Sequence, residues 1–230
     1  MSDVPPQQQP GSDLLQIIAH DLLAPLTAVK WQLELLAHPS VTAEKARRYR
    51  EGMQSSVELG IVLAKNAYLA GKVLQHSCAL DLTPCSLGAT VRAAAETVRL
   101  QFERHGLALE TAVADEPRER TMDAQFVSFY VWVVTKFFLT CTSTGGVVRV
   151  EGAQRATDGA YRLQVSAMTV PNADTYGRVL REDRDVTALD QSALFAWLLR
   201  TTAPVLGISF TVDAHDTTLS VESTFQMERA

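Results

Sequence analysis

The sequence predicts an α+β chain, a long helical hairpin followed by a two-layer sandwich of helices on one mixed sheet. Three observations carry this prediction. Apolar residues recur at alternating steps of three and four over two long stretches, Asp13 to Ala37 and about Ala43 to about His76, which is the stripe of helices packed lengthwise. After Asp81-Leu82-Thr83-Pro84 the period changes, and helical stretches alternate with short runs of period two. A hydrophobic fraction of 47% with 20% charged residues gives such elements an ordinary globular core.

Residues 1–12 are polar and rich in proline and glutamine (PPQQQPGS) and read as a disordered tail. The first helix carries Leu15, Ile18, Leu22, Leu26, Val29, Leu33 and Leu36 on one stripe, with Ser12 or Asp13 as cap. His38-Pro39-Ser40-Val41-Thr42 breaks it. Thr42 then caps a second helix with Glu44 in its first turn and a seam of Met53, Val57, Gly60, Ala64, Ala67, Gly71 and Leu74. Two helices alone cannot bury two stripes. A second copy would complete a four-helix bundle; the alternative is that the C-terminal domain covers both stripes. The hairpin domain is placed at 13–78.

Residues 79–230 form the second domain. Ser86 to Gly106 reads as a helix with Ser86 at its cap, and Leu107 to Ala114 as a strand. Asp123 to Cys141 is apolar on all sides and is expected to be a buried helix. Gly145-Gly146 makes a turn, and Val147–Glu151 and Tyr161–Ala167 are paired strands. A helix over Asp190–Leu206 and strands at Ile208–Ala214 and Thr218–Phe225 complete the sandwich. The aromatic cluster Phe126, Phe129, Tyr130, Trp132, Phe137 and Phe138 is core rather than a cofactor box.

The formal net charge of -5 gives nucleic acid no basic face. No uninterrupted apolar run reaches the ~18 residues of a membrane span, and the N-terminus lacks the basic and apolar regions of a secretory signal. Cys78, Cys85 and Cys141 form no C-x-x-C pair, against a zinc site or a disulfide framework. The expected setting is the cytoplasm.

Chemistry concentrates in His20-Asp21-Leu22-Leu23-Ala24-Pro25-Leu26. His20 lies two residues from both Ile18 and Leu22, so at ~100° per residue it points away from the apolar stripe. Its neutral ring keeps a nitrogen lone pair at pH 7, which can attack an acyl phosphate. Asp21 can orient the ring. Pro25 removes the helical bond to the Asp21 carbonyl, which predicts a bend just past the histidine. A lone exposed histidine is ordinarily just solvated; the surrounding motif distinguishes this one. Leu23, Ala24, Thr27 and Trp31 follow His20 at three, four, seven and eleven positions and share its face, a mostly apolar strip for a docking partner. The alternative for Trp31 is that it folds over the second helix.

The stretch resembles the phosphoacceptor box of dimerising histidine-kinase hairpins: His20, the adjacent Asp21, Pro25-Leu26, then Leu33-Glu34-Leu35-Leu36. The second domain resembles the Bergerat (GHKL) ATPase-like domain of those kinases without its nucleotide boxes. The chain has two asparagines, Asn66 and Asn172. When Gly145-Gly146 is aligned with the family's turn, Val133 and Phe137 stand where the Mg²⁺-holding asparagines belong. Met168 to Asp174 and Asp190 to Ala193 contain no glycine, where close approach to phosphate calls for it. Over about 13–225 the whole is similar to the ChpT-type histidine phosphotransferases, with Trp31-Gln32 where that family has Asn-Gly. The resemblance implies a homodimer that takes phosphate from the receiver domain of a hybrid histidine kinase and passes it to response regulators. It also implies no ATP and no cofactor of its own, with Mg²⁺ coming from the partner's receiver domain. The competing reading is a non-enzymatic pseudokinase scaffold that docks regulators or kinases. Ala24, where related kinases place a water-orienting Thr or Asn, disfavours a phosphatase.

Overall fold

A computed structural model describes residues 10–75, 78–115, 119–182 and 191–225. The chain divides into two compact units, one ending at Leu74 and the other beginning at Gln75.

The first unit is a hairpin of α1 (Pro10–Leu36) and α2 (Ala43–Leu74). Of the tail expected at 1–12, residues 1–9 lie outside the described residues, and 10–12 are helical. Pro10 opens α1 because its fixed φ suits a first helical position, where no N–H is needed. The helix runs through Pro25 without a break. At the other end α2 stops at Leu74, short of the expected His76, which is not among the described residues.

Within one chain the hairpin buries only part of the expected seams. On α1, Ile18 and Pro25 are buried, while Leu26 and Leu33 are 60% and 55% exposed. On α2 the buried residues are Ser56, Leu63, Asn66, Leu69, Ala70 and Val73, whereas Val57 and Ala64 are exposed and Met53, Gly60, Ala67, Gly71 and Leu74 half-buried. The reason is geometric. Each helix touches one neighbour along a single line, and the apolar stripe is wider than that line, so its flank stays open.

The second unit is a five-stranded sheet in the order β2-β4-β5-β7-β6, covered on one face by helices. Its strands are β2 (Ala108–Val113), β4 (Val147–Gln154), β5 (Tyr161–Ala167), β6 (Ile208–His215) and β7 (Thr218–Phe225). The β2–β4 pair is parallel and the rest are antiparallel. Helices α3 (Leu87–Arg104), α4 (Ala124–Cys141) and α6 (Gln191–Val205) form the second layer. Ser86 caps α3 through the Ala89 N–H, and Asp123 caps α4 through the Gln125 and Phe126 N–H groups. Helix α4 is long and apolar enough to cross a membrane, but 78% of it is buried. Its rings build the core: Phe129 stacks on Trp132, and Tyr130 meets Phe225 edge-on. Gly145 adopts φ +83, and a Cβ on Gly146 would run into Thr169, so this glycine pair serves the turn.

Three elements were not expected. β1 (Thr83–Cys85) and β3 (Arg120–Met122) pair as a separate two-stranded sheet. Helix α5 (Ala173–Arg181) follows Asn172, which sits at φ 56, a left-handed value that asparagine tolerates.

Candidate functional site

The hairpin holds the first candidate site. Ile18, Pro25 and the half-buried Gln32 mark the side of α1 that meets α2, and the 100° step places His20 on the far side. Its side chain is 83% exposed. Asp21, beside it, turns toward α2, with its side chain 24% exposed and Oδ1 3.6 Å from His20 Nδ1. That distance is too long for a hydrogen bond and short enough for attraction between charges. The imidazole is open to solvent, with the Asp21 carboxylate near its Nδ1 side.

Leu23, Ala24, Thr27 and Trp31 are all exposed, with Trp31 at 65%. The helix therefore brings the four together on the His20 face, and Trp31 does not fold over α2. A second apolar face lies on the flank of the hairpin, where Leu26 and Leu33 of α1 and Val57, Ile61 and Tyr68 of α2 are exposed. Ile61 and Tyr68 were outside the expected seam. The signal was present, since 57, 61, 64 and 68 step by four, three and four along a stripe that shares Val57 and Ala64 with the one chosen.

The second candidate site is the inner face of α4. Val133 and Phe137 are fully buried, and the Phe137 ring meets Tyr176 of α5 edge-on, with centroids 6.2 Å apart. Tyr176 was not singled out from the sequence, because α5 itself was not foreseen.

No protein-family model matches this chain, and no curated protein does. Solved structures do. A bacterial phosphotransferase matches with a TM-score of 0.57 at 13% identity, over 93% of this chain and 95% of that one. The histidine kinase AdeS of Acinetobacter baumannii matches at 0.53 and 10% identity, over 91% and 98%. Full-length ShkA in complex with AMPPNP matches at 0.57 and 17% identity, over 95% of this chain and 46% of ShkA.

The fold is that of a histidine-kinase module.

This histidine-kinase fold implies a Mg²⁺-nucleotide, and the residues present do not fit one. The face of α4 where asparagine amides would be wanted carries the Phe137 and Val133 side chains, and Tyr176 closes over Phe137. The stretch after β5 leads through Met168 to Asn172 straight into α5 and offers no glycine backbone for phosphates. Among the described residues no three His, Cys, Asp or Glu side chains converge as a metal site.

Proposed function

We propose that this chain is a histidine phosphotransferase of a two-component phosphorelay, acting in the cytoplasm without ATP. It takes a phosphoryl group from the receiver domain of a hybrid histidine kinase and passes it to response regulators. The observation that carries the reading is His20, an 83% exposed imidazole beside a carboxylate on its Nδ1 side, in a histidine-kinase fold. In the forward step His20 Nε2 attacks the phosphorus of the receiver's aspartyl phosphate. The N–P bond forms as the P–O bond to aspartate breaks, and the aspartate leaves as carboxylate with the electron pair. Asp21 stabilises the positive charge that develops on the ring. A carboxylate of the second receiver then reverses the chemistry. Because the described residues gather no oxygen-ligand cluster, Mg²⁺ to neutralise the phosphoryl oxygens would come with each receiver.

Leu23, Ala24, Thr27 and Trp31 would seat the receiver. Leu26, Leu33, Val57, Ile61 and Tyr68 would join two copies into a four-helix bundle. These faces lie on different sides of α1, so a dimer leaves both histidines reachable. Ala24 cannot hold a water in line with the phosphoryl group, which favours passing it on over hydrolysis.

The test is transfer from a ³²P-labelled phospho-receiver. The unmodified chain should take label, and His20→Ala should remain folded and take none. Full labelling of His20→Ala would overturn the proposal. An unmodified chain that binds receivers yet takes no label would identify a docking scaffold instead.

A further inference from the structure

The outer edge of the five-stranded sheet carries features that the hairpin chemistry does not use. β6 is the terminal strand, with β7 on one side only. Arg181 Nη2 donates to the Val212 carbonyl at 2.9 Å, so the Val212 backbone points away from β7. In an antiparallel ladder this direction alternates, so Ile208, Phe210 and Ala214 point outward as well. Gly177 of α5 packs against Ala214 and covers that end. The Phe210 N–H and C=O are left without a hydrogen-bond partner among the described residues. Beside them runs an open groove of 650 Å³, lined by Leu180 and Arg181 of α5, Ala203 and Pro204 of α6, and Phe210 and Thr211 among others. Among the described residues, two arginines and no carboxylate line this groove. Arg181 donates to an uncharged carbonyl and pairs with no acid among the described residues.

We propose that this groove takes an extended, acidic segment of a partner protein as a sixth strand on β6. Unpaired N–H and C=O groups on one edge are satisfied together by another extended backbone ~4.8 Å away. Alternate side chains of that strand would rest on Leu180, Ala203 and Pro204, and a carboxylate would approach the Arg181 guanidinium. Natural edges are usually blunted by charge or cover. Here Arg181 and α5 do this at Val212 and Ala214, and Phe210 stays open.

The proposal is independent of phosphotransfer, and it is tested on the full chain by fluorescence anisotropy. The probe is a fluorescein-labelled hexapeptide alternating valine and glutamate. It should bind, and two analogues should bind about tenfold more weakly or worse: one with lysine in place of glutamate, and one N-methylated along the edge that faces β6. Arg181→Gln should weaken the acidic probe about fivefold with an unchanged melting curve. The peptide analogues need no protein variant, so they decide the matter even if Arg181→Gln is unstable. No binding at millimolar protein would overturn the proposal, as would equal binding of either analogue. So would light scattering that shows Arg181→Glu lowering the mass of the assembly, which would assign the groove to a second copy.

Discussion

At the scale of single residues, the shared exposed face of His20 and its strip was legible because a helix converts sequence spacing into direction. Positions three, four, seven and eleven after a histidine must share its face, and Leu23, Ala24, Thr27 and Trp31 do. The role of Asp21 makes a sharper demand. Asp21→Asn keeps the shape and removes the charge that would stabilise the imidazolium developing on phosphorylation, so rapid-quench transfer from a phospho-receiver should slow about tenfold or more, with receiver affinity little changed. Trp31→Ala should do the opposite. Receiver binding should weaken about tenfold, equivalent to about 1.4 kcal/mol, while the melting temperature barely moves because the ring is 65% exposed. A variant that melts many degrees lower would make Trp31 structural. Gln32 shows where residue-level reading stops. It was visible only as a departure from Asn-Gly. In the structure its amide occupies space that a Cβ on Gly52 would take, and its Oε1 is buried without a partner. A vacancy on one helix matched to a side chain on another has no signature along the chain.

At the scale of elements, long periodic segments were legible and short ones were not. Helix α4 and strands β5 and β7 were foreseen to within a residue, because period and length agree. β1 and β3 are three residues each, too short to show alternation. Helix α5 has only nine residues, with Gly177 inside it, and such a helix depends on what it packs against. Within one chain the near partner covers only part of each expected stripe, and the exposed part is shifted to the flank of the hairpin. That shift makes a prediction. Since Leu26 and Leu33 are exposed within one chain, Leu26→Glu with Leu33→Glu should give a folded monomer by light scattering and circular dichroism. An unchanged dimer mass would refute the proposed bundle face. Within α4, Phe137→Asn should not restore nucleotide binding and should cost about 3–5 kcal/mol in urea unfolding. Tyr130 in the same helix is fully buried, and its hydroxyl meets Ser223 Oγ at 2.8 Å. Burial raises its pKa, partly offset by that hydrogen bond. The folded state therefore holds the proton more tightly than the unfolded chain. Stability from this group is intact below the ordinary tyrosine value near ~10 and falls as pH rises beyond it. Tyr130→Phe should flatten that alkaline loss in denaturant titrations at pH 9 to 11; an equal loss in both proteins would contradict this.

At the scale of the whole molecule, the fold class was legible because two different periods occupy two different halves of the chain. What was not legible was that Tyr176 of α5 would meet the Phe137 ring of α4. Missing motif residues argue that a nucleotide lacks ligands, whereas Phe137 against Tyr176 means that side chains already occupy that face. A ligand at about a hundred times its Kd stabilises a protein by about 2.7 kcal/mol. Saturating Mg-ATP should therefore leave the melting curve unmoved, and a rise of several degrees would contradict the ATP-free proposal. The three tryptophans add an optical consequence. Trp31 stands in solvent on the hairpin, while Trp132 and Trp197 lie on α4 and α6 of the other unit, Trp132 fully enclosed and Trp197 half-buried. Trp31 should emit at longer wavelength and be the most readily quenched by iodide, and Trp132 should be dark to the quencher. Emission from this chain thus separates by unit without any label. A receiver settling over the His20 face should shift only the quenchable, red-edge component toward the blue, and so report each encounter as it happens.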